Sequence, residues 1–356
     1  MRLKQRALKF DIIRIVAICM VLFVHVTVIP VVRYQGITFT VGNLFNNLSR
    51  AGVPMFLLLT GALLLNEERP FDAKRFYRTS FLPIALLLLF WLVFYAAWRA
   101  FGLPLLRGKS ADTGLFGEYL LTLKGMYPHL WYLFMLVGAY LVIPVLRLFV
   151  KKENRPYILG LILLSLLAQF AVQTLGVFTR DASFTVGDFF TKFHLEYAMG
   201  YVPYLLLGWY LSTFPPTRGW RFLLYGLGLA SVLLMVFGVQ AWVKDVPGIR
   251  DYLVEANTLP AILYGAAMFT LISTLSGDRT TQCPVVRELS RSAFGVYIFH
   301  VVVLDVLVNI LLPYKVFHEQ HPLLYILTLF VLTYGVCLLV VLPLSRVKGI
   351  KKLFRY

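Results

Sequence analysis

The chain has 356 residues, of which 59% are hydrophobic and 14% charged. A soluble domain carries roughly 25% charged residues, so this composition excludes an ordinary soluble enzyme and points to an integral membrane protein. The formal net charge of +17 suggests a nucleic-acid partner only until its distribution along the chain is counted.

Repeated apolar runs of helical length, with no alternating ten-residue pattern, predict a helical bundle rather than a barrel. The expected fold is all-α, a polytopic transmembrane bundle forming a single domain over residues 1–356, with no attached soluble domain. About ten spans are predicted, at 10–32, 41–65, 79–101, 129–149, 157–177, 197–213, 222–243, 257–275, 292–313 and 323–345. The first run contains Arg14. It is longer than the apolar region of a signal peptide and has no small-residue cleavage site after it, so it is read as a retained span.

Charge orients the spans. The N-terminus, the loops 66–78, 147–156, 214–221 and 276–291, and the C-terminus from Arg346 hold 22 Lys and Arg against 6 Asp and Glu. The loops on the other side, starting at Arg33 and continuing through 99–128, 178–196, 244–256 and 314–322, hold 10 against 9. A surplus of +16 on one side against +1 on the other predicts that both termini are cytoplasmic. The basic surplus then faces anionic membrane lipid. No nucleic-acid motif accompanies it, so nucleic acid is rejected as a partner.

In chain order, the first span already carries chemistry: Asp11, Arg14 and His25 lie within an otherwise apolar helix. Ionisable groups inside a span face a cavity or a partner and are functional candidates by default. Eleven residues at ~100° each leave Arg14 and His25 only ~20° apart around the helix and ~16 Å apart along it. Asp11 falls within ~60° of both, close enough to pair with Arg14 one turn on.

The second span opens with Asn43, Asn46, Asn47, Ser49 and Arg50. These polar groups read as a substrate-binding outer mouth, or as a short wetted helix. In the following inside loop, Arg75 and Arg78 are one helical turn apart, a spacing that can clamp a phosphate. Ordinary topology-setting charge is the plainer account. Outside, residues 115–124 read as an interfacial helix leading to His129, Leu130, Trp131 and Tyr132. Trp131 and Tyr132 belong either to an aromatic belt or to a substrate contact.

The ninth span holds Tyr297, His300 and Asp305. His300 reads as structural, and Asp305 needs a partner such as His25, Arg50 or His300. Cys19, Cys283 and Cys337 are scattered, so neither a disulfide nor a metal site is expected.

Several of these stretches taken together resemble the membrane acyltransferase 3 family, the multi-pass O-acyltransferases of cell-surface glycans. They are Arg14-x10-His25, the segment Arg50 to Gly61, Arg75-Phe-Tyr-Arg78, His129-Leu-Trp-Tyr132, and Ser292-Ala-Phe-Gly-Val-Tyr297-Ile-Phe-His300. The resemblance implies a bacterial plasma-membrane enzyme that uses cytoplasmic acyl-CoA, with acetyl-CoA the expected donor and succinyl the alternative group. The implied acceptor is a hydroxyl of an extracytoplasmic glycan or its lipid-linked precursor. It further implies His25 as catalytic base, Arg14 beside it with a share in donor binding, and Arg75 and Arg78 as the donor site. Asn46, Asn47, Arg50, Trp131, Tyr132, Tyr297 and Asp305 are the candidate acceptor contacts. The alternative is a transporter of a polysaccharide or acyl-modified precursor, against which stands the absence of an evident inverted repeat.

Overall fold

The computed structural model describes residues 6–123, 126–179, 200–244, 249–311 and 319–354. Among these, the regular elements are all helical, and Ala7 and Thr280 form an isolated antiparallel bridge.

Helix α1 (Leu8–Val26) runs almost directly into α2 (Val28–Arg33) through Thr27. Next, α3 (Gly36–Leu48) and α4 (Gly52–Leu64) are separated by the three residues Ser49, Arg50 and Ala51. The long α5 (Ala73–Leu106) contains π-helical turns at Tyr77–Phe81 and Trp98–Gly102. The Asp72 side chain caps its start by accepting from the Arg75 backbone N–H at 2.5 Å.

Asp112 caps α6 (Thr113–Thr122), accepting from Gly114 and Leu115. There follow α7 (Trp131–Phe149), α8 (Arg155–Thr179), α9 (Val202–Thr213), α10 (Arg218–Trp242) and the short α11 (Ile249–Leu253). The chain then forms α12 (Leu259–Ser276), α13 (Pro284–Leu311), α14 (Pro322–Leu344) and α15 (Lys351–Phe354).

Among the described residues, 8 helical segments are long and apolar enough to cross a membrane. They are Leu8–Arg33, Gly36–Leu64, Ala73–Leu106, Pro128–Phe149, Arg218–Trp242, Leu259–Ser276, Pro284–Ile310 and Pro322–Leu344. The expected fifth span, 157–177, lies on the 25-residue α8. The expected sixth, 197–213, coincides with α9, which has 12 residues, fewer than the roughly 20 that a span needs. Its residues 197–199 lie outside the described ones. The expected interfacial helix is α6, although Lys124 also falls outside them. Outward rows of Leu, Val and Phe, such as Leu86 and Leu89 on α5 and Leu229 and Phe237 on α10, are exposed, as a hydrocarbon surround requires. The protein is a multi-pass helical membrane protein.

The chain divides into two compact units, the first of Met1–Pro70 with Val145–Ser290, the second of Phe71–Pro144 with Arg291–Tyr356. In the first unit, small residues let helices meet at the backbone. A Cβ at Gly61 would collide with the Leu205 carbonyl, and one at Gly208 with the Leu58 carbonyl, so α4 and α9 touch main chain to main chain. Gly52 places the start of α4 against Ala17 of α1, with 2.9 Å left to the Ala17 carbonyl for a Cβ. Close approach of this kind drives helix association where lipid removes the ordinary hydrophobic gain. Ile13, Ala17, Ile18 and Leu22 on the buried face of α1 are fully covered.

In the second unit, Phe76 stacks on Tyr140 at 5.7 Å and the Tyr77 hydroxyl donates to the Leu141 carbonyl at 2.9 Å, joining α5 to α7. Trp91 meets Phe354 edge-on at 5.8 Å, and Gly295 of α13 lies against Phe354 and Val341. These contacts seat α15 on α5, α13 and α14.

Candidate functional site

Arg14 and His25 both lie on α1, which is unbroken over its 19 residues. Both are half-buried. The Leu8 end of this helix is organised by Asp11, whose side chain is fully buried. Its Oδ1 accepts from Arg6 at 2.5 Å, Ser290 at 2.6 Å and Arg14 at 3.4 Å, and its Oδ2 from Thr281 at 2.6 Å. The pairing of Arg14 with Asp11 is therefore present, but the closer arginine is Arg6. Two backbone bonds run alongside: Leu8 N–H donates to the Arg279 carbonyl at 2.8 Å, and Thr281 N–H to the Arg6 carbonyl at 2.9 Å. A buried carboxylate needs charge-assisted partners of this kind. It draws them from three separate stretches of chain.

The His25 end is organised by Asn46. Its amide nitrogen donates to the Val24 carbonyl at 3.2 Å and to Thr27 Oγ1 at 2.9 Å. These two contacts bracket His25 in sequence. The amide oxygen accepts from Arg50 Nε at 3.1 Å, Arg50 Nη2 at 2.7 Å and Arg250 Nη2 at 3.3 Å. Asn43 donates to the Val236 carbonyl at 2.9 Å, and Asn47 donates to Asn43 Oδ1 at 2.7 Å.

Asn43, Asn46 and Asn47 are each 1% exposed. These amides are buried in protein. Arg50 stands in the break between α3 and α4, where the backbone closes by tight bonds from Ser49 to Asn46, Arg50 to Asn47 and Gly52 to Ser49. Irregular backbone at membrane depth is tolerated where protein or a cavity surrounds it.

The second unit carries the remaining candidates. Arg75 and Arg78 are exposed, and neither side chain has a hydrogen-bond or ion-pair partner among the described residues. Trp131 and Tyr132 pack edge-on at 6.2 Å, and Tyr132 meets Tyr297 at 5.3 Å. Tyr297 donates to the His129 carbonyl at 2.5 Å, and Nδ1 of His300 lies 2.6 Å from the Tyr297 carbonyl. The His129 and His300 rings are 5.5 Å apart.

The expectation of a histidine or arginine for Asp305 is corrected. Its Oδ2 accepts from Trp98 Nε1 at 2.9 Å and from the Tyr127 hydroxyl at 2.7 Å. Neutral aromatic donors solvate this half-buried carboxylate, and the π-turn in α5 carries Trp98. Burial and the neighbouring Asp305 carboxylate hold the Tyr127 phenol well above its usual range. Beside it a small pocket, with room for roughly one water molecule, is lined by Tyr95, Arg99, Tyr119, Leu123, Tyr127 and Leu130. In the loop after α7, Lys152 donates to Glu68 at 3.0 Å and pairs with Glu67 at 3.7 Å, which raises its ammonium pKa.

Of the candidate residues, Arg14, His25, Asn46, Asn47 and Arg50 thus belong to the first unit. Arg75, Arg78, Trp131, Tyr132, Tyr297 and Asp305 belong to the second. Contacts join Arg50 to Asn46, and Asn46 to the turn that bears His25; in the other unit they join Trp131, Tyr132 and Tyr297. Sequence reasoning missed Arg250, Arg6, Thr281, Ser290, Trp98 and Tyr127. Arg250 counted only as a loop charge, 204 positions from the amide it meets. Among the described residues no cluster of His, Cys, Asp and Glu could hold a metal ion.

This helical multi-pass protein keeps a guanidinium and an imidazole half-buried on its first span. Residues 8–342 match the family model described as an acyltransferase domain, and the chain belongs to this acyltransferase 3 family. No curated protein and no solved structure matches it.

Proposed function

We propose that the chain works as one catalytic domain that moves an acyl group, acetyl first among the choices, from cytoplasmic acyl-CoA to a hydroxyl of an extracytoplasmic glycan or its lipid-linked precursor. The membership of an acyltransferase family gives the reaction class. The observation that carries the residue assignment is that Arg14 and His25 are both half-buried on one unbroken helix, in phase and ~16 Å apart along its axis. That separation is of the order of a pantetheine arm. A donor whose charged nucleotide cannot enter lipid can then keep its phosphates on one side while its thioester reaches the other.

In this reading Arg75 and Arg78, exposed and one turn apart, hold the donor phosphates, with both termini and this loop in the cytoplasm of a bacterial cell. His25 takes the proton from the acceptor hydroxyl as its oxygen attacks the thioester carbonyl carbon. An imidazole with an ordinary pKa of about 6.5 suits that transfer. As the carbon–sulfur bond breaks, the coenzyme A sulfur leaves and takes the proton back from His25. Arg14 stabilises negative charge on the donor. Asp11 fixes one face of its guanidinium.

The test is His25→Gln in purified protein, assayed for acyl transfer and for acyl-CoA binding. A glutamine keeps bulk and polarity but cannot take up a proton at neutral pH. Transfer is expected to fall by about 10²–10⁴-fold with donor binding nearly unchanged. Near-normal turnover in His25→Gln, with turnover lost in Arg14→Ala, overturns the assignment of the base.

A further inference from the structure

We infer that Asp305, with Trp98 and Tyr127, forms a binding site for a neutral sugar of the acyl acceptor, in which the carboxylate accepts a sugar hydroxyl. The word acceptor rests on the acyl-transfer reading. The sugar site rests on the geometry within the second unit alone.

The carboxylate is only half engaged. Its Oδ2 takes both donors, Trp98 Nε1 at 2.9 Å and the Tyr127 hydroxyl at 2.7 Å. Its Oδ1 has no hydrogen-bond partner among the described residues, and among them no Lys, Arg or His forms an ion pair with either oxygen. The backbone carbonyl of Asp305 accepts from Asn309 Nδ2 at 2.6 Å, and Asn309 Oδ1 accepts from Arg107 Nε at 3.1 Å. Asp305 lies within the candidate span Pro284–Ile310, where an ionisable side chain is costly and is by default a functional candidate. A carboxylate that only fastens helices does better with a cation and with both oxygens in use, as Asp11 shows.

The surroundings of the open oxygen select the ligand. Tyr127 joins the carboxylate to a cavity: its hydroxyl is held by Asp305, and its ring lines the pocket formed with Tyr95, Arg99, Tyr119 and Leu130. A sugar carries hydroxyl donors on its edge and C–H groups on its faces. A carboxylate oxygen takes the first, and an apolar, aromatic wall takes the second. The pocket has room for roughly one water molecule, so it receives one C–H edge of the sugar and not the whole ring.

Charge then discriminates among sugars. An acidic sugar meets like charge at Asp305. A protonated amino sugar meets Arg99, whose guanidinium lies over the Tyr119 and Tyr127 rings at 5.1 Å and 5.7 Å. A neutral sugar meets neither obstacle.

The experiment titrates the purified full chain, in a detergent without a sugar headgroup and with no acyl-CoA present. The ligands are methyl glucoside, methyl galactoside, the uronic form of each and methyl glucosaminide, each followed by ligand-detected NMR. At least one neutral glycoside is expected to bind saturably, and about tenfold or more tightly than its uronic form. Asp305→Asn, which keeps the shape and removes the charge, is expected to lower that affinity by about tenfold, with separately measured coenzyme A binding unchanged. Should Asp305→Asn fail to fold, Tyr119→Ala carries the test. It leaves the bonds of Asp305 in place, removes a wall of the pocket and is expected to weaken the same glycoside several-fold.

Binding is read without donor, so the sugar site stands or falls separately from acyl transfer. Absence of saturable binding by both neutral glycosides overturns the inference. So does tighter binding of the uronic or amino forms, or unchanged affinity in whichever variant folds.

Discussion

At the Leu8 end of α1 two arginines, Arg6 and Arg14, meet a carboxylate; at the Val26 end two arginines, Arg50 and Arg250, meet an amide. The geometry is alike, with one buried acceptor on each occasion gathering two guanidinium groups. The charge on the acceptor differs, and with it the work it can do. Asp11 attracts donors strongly enough to draw in Thr281 and Ser290, 270 and 279 positions away, and so fastens the start of α1 to the elements around α12 and α13. Asn46 orders its two arginines without a charge of its own.

The comparison breaks most visibly at Asp11. Asp11→Ala strips four donors of their acceptor in a fully buried position, and loss of one partner of a buried ionic network costs about 3–5 kcal/mol. Reversible unfolding in mixed micelles is expected to show that loss. A change under about 1 kcal/mol would mean that the carboxylate does not fasten this end.

Next in size is Arg6→Ala. The Arg6 side chain is 32% exposed, so solvent screens its pair, and about 1 kcal/mol is expected in the same assay. Acyl transfer should persist, because Arg14 keeps Asp11 and is the arginine given a part in the chemistry. Loss of transfer equal to that in Arg14→Ala would remove the distinction between the two.

The smallest stability effect, within about 1 kcal/mol, is expected for Asn46→Asp, which turns the second end into a likeness of the first. A carboxylate under Arg50 and Arg250 gains attraction but loses the amide donors to Val24 and Thr27, and the two changes oppose each other. Reversible unfolding in the same mixed micelles measures the net effect. A loss above about 3 kcal/mol would show that the amide donors to Val24 and Thr27 outweigh the added attraction.

How far these ends were legible in the sequence depends on the range of the contacts. Arg14 and His25 could be placed on one face because both lie on one helix and the period of 3.6 fixes angle from spacing. The apolar runs gave the membrane helices for the same local reason. Arg250 could not be paired with Asn46, nor Trp98 and Tyr127 with Asp305, because no spacing rule reaches across some two hundred residues. The Asp305 expectation failed through a narrower habit, looking for a charged partner when indole and phenol donors serve. The break after Leu48 had a local signal in Gly52 and Pro54, the latter without a backbone N–H to give. The apolar pattern alone places it within a single span, 41–65, and the structure likewise has one candidate span there, Gly36–Leu64.

That break has a consequence for how the protein enters the membrane during synthesis. The segment Gly36–Leu64 is the least apolar of the eight candidate spans, and it carries three asparagines and an arginine in its first half. An arginine at the centre of a lone helix opposes insertion by about 2.5–3.5 kcal/mol. Asn46 of this segment donates to the Val24 carbonyl and to Thr27 Oγ1, and both lie on the segment made just before it. The second segment therefore finds hydrogen-bonding partners on the span already made, which offsets part of the cost of bringing its polar groups into lipid.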